Sequence, residues 1–130
     1  MNDSERAELI LYRISRILHT LQEVDILIEN QLWSTAINRL YYACYYAVIA
    51  LLLKNNLNPQ THAGVRQMFG LHFIKTGIIS SDLGKFYSDI FDKRLTGDYD
   101  DFIVMREEDV IGLVPSAKEL ILTIKEIVSA

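Results

Sequence analysis

The side chains best suited to chemistry stand together in the first third of the chain, where Asn38-Arg39 is followed by Tyr41, Tyr42, Tyr45 and Tyr46. On a helix, the seven steps from Arg39 to Tyr46 at about 100° each come to nearly two turns. The two side chains then share a face, roughly 10 Å apart along the axis, with Tyr42 and Ala43 between them. One phosphate-sized anion can touch both. A histidine, with a reference pKa near 6.5, would take and return a proton at neutral pH. A tyrosine, with a reference pKa near 10, is phenolate in only about one molecule per thousand at pH 7. Tyr46 therefore suits hydrogen bonding to a phosphate or stacking on a base, and it becomes a general base only if a cation such as Arg39 lowers its pKa.

Arg39 heads an uncharged run from Leu40 to Leu53. Burying an unpaired charge is costly, so Arg39 either pairs with a carboxylate, for which Asp98, Asp100 and Asp101 are the obvious candidates, or faces an anion. Asn38 reads first as a local hydrogen-bonding residue. The tyrosines form two pairs at four-residue spacing. Tyr41 and Tyr45 read as core or dimer packing, with hydroxyls reaching a polar partner, whereas Tyr42 and Tyr46 lie on the arginine face where a ligand can reach them.

Arg66 and His72 also stand at a suggestive spacing, but six helical steps leave them roughly 120° apart, and Gly70 weakens the helix between them. His62 reads as a hydrogen-bonding residue at a helix start or in a loop, His19 as a surface residue, and Asp92-Lys93-Arg94 with Asp89 as a mostly solvated ion-pair face. Three histidines and one cysteine do not reproduce a zinc spacing, and the aspartates near position 100 lack the calcium-loop pattern. No glycine-rich phosphate loop, nucleophile elbow or kinase motif is present. The expectation is no metal and no cofactor.

The elements that must position these groups read as five helices. From about Ser4 to Asn30, Ile10, Ile14, Ile17, Leu21, Val24 and Ile28 fall alternately four and three apart, as one helical stripe requires, with Asn2 or Asp3 as the cap. The second helix, about Leu32 to Asn55, is apolar nearly all round from Leu40 onward and must be central. Pro59 breaks it. A third spans about Thr61 to Lys75, presents Val65, Met68, Phe69 and His72 to one side, and ends at Gly77. Ser80 or Ser81 can cap a fourth, about Asp82 to Leu95, which merges into a polar aromatic loop from Thr96 to Phe102. The last runs from about Glu107 to Val128, with a kink or two shorter helices at Pro115.

A chain of 130 residues fits one domain, 1–130, with no repeat or linker. Net charge −4 gives no reason to expect tight non-specific nucleic-acid binding, although a local basic spot is compatible with it. The lone Cys44, in an apolar stretch, reads as a small buried thiol. The fourteen uncharged residues fall short of the roughly twenty needed to span a bilayer. The first residues lack the pattern of a signal peptide. The expected setting is cytoplasmic, away from the membrane.

The segment Asn38-Arg39-Leu40-Tyr41-Tyr42-Ala43-Cys44-Tyr45-Tyr46-Ala47 resembles the central signature of HEPN domains, small helical modules of many prokaryotic toxin and antitoxin pairs. Downstream, Thr61-His62, Phe69, Phe73-Ile74-Lys75-Thr76-Gly77, and Arg94 before Asp98-Tyr99-Asp100-Asp101-Phe102 resemble the rest of the pattern in order and spacing. The resemblance covers nearly the whole chain. It implies an all-α, HEPN-like up-and-down bundle of about five helices, often dimeric. Active members of the family cut RNA without a metal through an arginine, a polar neighbour and a histidine. Arg39 and Asn38 match that set, but Tyr46 stands where the histidine would be. The resemblance implies a homodimeric binding or regulatory module of a toxin–antitoxin type system, partnered by a small nucleotidyltransferase. In that reading Asn38, Arg39, Tyr42, Tyr46, Asp98 and Tyr99 line an RNA or nucleotide groove. The alternatives are a metal-independent RNase toxin using Arg39 with Tyr46 or another base, and a dimerisation scaffold without ligand.

Overall fold

The computed structural model describes residues 1–99 and 103–130, and within them every regular element is helical. The order is α1 (Asp3–Glu29), α2 (Trp33–Lys54), α3 (His62–Phe69), a π-helical turn (Gly70–Ile74), α4 (Ser81–Tyr99), α5 (Glu107–Ile111) and α6 (Val114–Ser129). The ends are set by local chemistry. The Asn2 side chain accepts the Glu5 N–H while Glu5 reaches back to the Asn2 N–H, closing a capping box on α1. Thr61 caps α3 by accepting the Gly64 N–H at 2.9 Å, and Ser80 accepts the Leu83 N–H at the start of α4. Gly77, at φ +80°, makes the left-handed turn that ends the α3 region.

α2 is the centre of the bundle. Leu40, Tyr41, Ala43, Cys44, Ala47, Val48, Leu51 and Leu52 are fully enclosed, and each buried leucine of this kind contributes about 1.5–3 kcal/mol. α1 is antiparallel to it: Ile10 near the start of α1 packs on Ala50 and Leu53, while Leu27 and Ile28 at its end pack around Ala36 and Ile37. Ser34 donates to the Gly97 carbonyl at 3.1 Å, so the end of α4 meets the start of α2. α6 lines up with α2, its Leu113 end beside Ala36 and Ile37 and its Val128 end beside Ala50. The result is an up-and-down arrangement. By length and composition α2 could cross a membrane, but two thirds of its apolar stretch (67%) is buried against the other helices.

Of the two outcomes expected at Pro115 the chain takes the second, two shorter helices: α5 and α6, with Pro115 in the first turn of α6, where its missing N–H costs nothing. Two expectations are corrected. The third helix does not present His72 inward. Lys75 N–H bonds to the Gly70 carbonyl, five residues back, and the extra residue in that turn brings Phe73 to the core and leaves His72 exposed. The fourth helix continues through Thr96, Gly97, Asp98 and Tyr99 instead of opening into a loop. Asp100, Asp101 and Phe102 lie outside the described residues.

Candidate functional site

The uninterrupted helical winding of α2 carries Asn38, Arg39, Tyr42 and Tyr46 along one side and Tyr41 and Tyr45 along another. Tyr41 is enclosed in the core. Its hydroxyl lies 2.7 Å from His62 Nδ1, and burial pushes its pKa up to about 12. His62, the first residue of α3, stacks on Tyr45 with ring centres 4.4 Å apart and meets Tyr42 edge-on at 5.7 Å. Partial burial and the nearby Arg94 guanidinium hold the imidazole below its ordinary pKa.

Two guanidiniums flank Tyr42. Arg39 lies 5.2 Å from the ring centre and Arg94, from α4, 5.9 Å; Arg94 is also 4.7 Å from Tyr41 and 6.0 Å from Phe91. Both are cation–π contacts, stronger where water is excluded. Each arginine has a loose carboxylate: Arg39 Nη2 is 3.7 Å from Glu23 of α1, and Arg94 Nη1 is 3.7 Å from Asp98. These separations exceed those of a good N–H···O bond. The Nε atoms of both arginines are buried, with no hydrogen-bond partner among the described residues. Asn38 Nδ2 donates to Asp98 at 2.9 Å, tying α2 to α4.

α1 closes the other side. Arg16 stands 5.6 Å from the Tyr46 ring centre, and its pKa is raised chiefly by the Tyr46 hydroxyl. Arg13, one turn earlier, opposes the rise that burial imposes on Tyr45. Arg13, Arg16, Arg39 and Arg94 thus surround four tyrosines and one histidine, a local basic and aromatic patch on a chain of net charge −4.

Of the residues expected from the sequence, Asn38, Arg39, Tyr42, Tyr46 and Asp98 are brought together. Tyr99 is 75% exposed at the end of α4 and joins no aromatic pair of the cluster. Within the described residues Arg39 pairs with Glu23, not Asp98, because α1 packs along its side of α2. The cation beside Tyr46 is Arg16. Arg94 is not solvated with Asp92 and Lys93; its side chain is 8% exposed. The helical register turns it inward beside Phe91 and Ile90, and that inward i, i+4 register with Ile90 was the legible signal. Arg66 pairs with Asp92 at 3.2 Å and lies 4.1 Å from the Phe91 ring centre, away from exposed His72, so those two residues form no site. Among the described residues no cluster of three metal-ligating side chains occurs.

The family model for the HEPN domain matches residues 10–127. The chain belongs to the HEPN domain family. A "UPF0332 protein" of Thermotoga maritima is 35% identical over 125 residues, covering 96% of this chain and 95% of that one. Two proteins of Methanocaldococcus jannaschii, each named "Putative toxin", are 43% identical over 61% of this chain and 59% of the relative, and 33% identical over 74% and 65%. The HEPN match spans all four fragments that carry the resemblance, from Asn38 to Phe102. It supports a toxin-like HEPN module.

Proposed function

We propose that this HEPN protein is an RNA- or nucleotide-binding member of a toxin–antitoxin type module, cytoplasmic, partnered by a nucleotidyltransferase, and that its Arg39–Tyr46 face holds ligand without cutting it. The observation that carries this reading is the pair of guanidiniums beside Tyr42, each with a buried Nε that has no partner among the described residues and only a distant carboxylate. An incoming phosphate can meet the part-exposed Arg39 guanidinium with charge-assisted hydrogen bonds, Arg94 adds positive charge from beneath, and the tyrosine rings offer a base a stacking surface. Tyr46, facing Arg16, suits phosphate contact better than proton transfer. A homodimeric state draws support from Leu11 and Leu18, seven residues apart on α1 and 69% and 65% exposed.

The test is a titration with RNA and nucleotides, together with a cleavage assay in chelator. Saturable binding that weakens about tenfold or more in Arg39→Ala, without strand cleavage, is the expected outcome. Chelator-resistant cleavage lost in Arg39→Ala overturns the non-cutting reading, and binding unaffected by that substitution overturns the ligand face. Tyr46→His is expected to introduce cleavage, because it restores a group that titrates near neutrality.

A further inference from the structure

Beyond the arginine-flanked Tyr42, the α1–α2 groove ends in a small cavity of about 150 Å³ where the loop before α3 folds over it. Its lining includes Ile49, Tyr45, Pro59, Asn58, Gln60 and Arg13. The chemistry is that of a seat for a flat heteroaromatic ring. Ile49 is partly buried and supplies apolar surface, while the exposed Asn58 and Gln60 stand at the mouth. Tyr45 and Pro59 offer flat faces, and Tyr45 is braced by His62 stacked at 4.4 Å. Gln60 Nε2 donates to the Asn58 carbonyl at 2.9 Å, which fixes the loop. Among the described residues the Asn58 side-chain amide and the Gln60 Oε1 have no partner, so donors and acceptors remain for a base edge. None of the lining residues is a carboxylate, and Arg13 adds positive charge beside the opening.

The distance to the other end matters. Arg39 and Ile49 are ten residues apart on α2, about 15 Å along the axis. A stacked single strand carries one phosphate per about 3.4 Å, so that span covers several phosphate steps, whereas a mononucleotide carries phosphate at one step only. Arg16 stands between the two ends, beside Tyr46, where an intervening phosphate would pass.

We propose that the cavity bounded by Tyr45, Asn58, Pro59 and Gln60 is a nucleobase subsite, and that the ligand of this protein is a short single strand of RNA running from it past Arg16 to Arg39. This rests on the reading of the Arg39–Tyr46 face as a nucleotide site and extends it to strand length and a base-reading pocket.

The experiment uses the full chain and compares three probes: a short single-stranded RNA, the same strand with abasic positions, and a mononucleotide. The intact strand is expected to bind about tenfold or more tighter than the other two, in keeping with the usual contribution of one stacked base. The double substitution Asn58→Ala, Gln60→Ala is expected to remove that advantage while leaving the affinity for the abasic strand, which has no base to seat, unchanged. Both residues are exposed, and an unchanged melting temperature verifies the fold. Equal affinity for strand and mononucleotide overturns the proposal, as does a double variant that binds the strand like the wild type. If Arg39→Ala still abolishes binding in that second case, only the subsite falls and the ligand face stands. If no probe saturates the wild-type protein, both fall.

Discussion

Tyr41 and Tyr45 on one side of α2, and Tyr42 and Tyr46 on the other, are the same residue at the same four-residue spacing, yet they sit in unlike surroundings. The first pair faces a region shared with α3 and α4: Tyr41 is sealed in its dry interior, where its hydroxyl meets His62 and Arg94 lies over its ring, while Tyr45 stays partly exposed at the rim and lines the α1–α2 cavity. The second belongs to a wetter edge shared with α1, where Arg39 and Arg16 approach partly exposed rings. Identity and spacing assign neither role. What the neighbouring helix brings up against each ring does, and Arg39 and Arg94 make the point most sharply: both flank Tyr42, but their side chains are 22% and 8% exposed.

The contrast breaks first at the arginines. Arg94→Ala removes packing from Tyr41 and Phe91 and leaves Asp98 without its cation, so it is expected to lower stability by about 2–4 kcal/mol. Arg39→Ala, whose ion pair is part exposed, is expected to stay within about 1 kcal/mol while losing ligand affinity. Denaturant midpoints of the two variants measure the difference; equal losses would mean that the two regions are energetically one.

A smaller effect is expected at Tyr41→Phe. It deletes the hydrogen bond to His62 without changing the ring, so about 1 kcal/mol should be lost, against little for Tyr46→Phe on the open edge. The smallest effect is on pH dependence. His62 has a lower pKa in the folded chain than the ordinary 6.5, so the unfolded chain binds its proton more readily. The stability this contributes is fully present above 6.5 and is lost as the pH falls through the depressed value. Unfolding curves at neutral and mildly acidic pH should therefore diverge less in His62→Gln than in the wild type. An unchanged acid slope would remove His62 from the titrating groups of the dry region.

Much of the bundle was legible in the chain because helices are local. The isoleucine and leucine spacing of α1, the all-round apolar α2, Asn2 and Ser80 as caps, and Gly77 as a stop each act within a few residues. The inward turn of Phe73 was not legible, since α and π windings differ by one residue and nothing in Gly70–Ile74 announces the choice. The grouping around Arg39 was half legible. Asn38, Tyr42 and Tyr46 follow from the winding of α2 itself. Glu23, Arg16 and Arg94 reach it through the packing of other helices, which a reading of one segment does not supply. The aspartate paired with Asn38 was anticipated as a site residue, but its cation is Arg94.

The central position of α2 carries a dynamic consequence. Because it packs against α1, α3, α4, α5 and α6, its residues have no neighbour they can shed alone. Their amide protons should exchange with solvent only when the whole domain opens, leaving the tyrosines no private breathing motion. A molecule that settles on them therefore slows the opening of the entire chain, and its occupancy can be followed at amides far from where it sits.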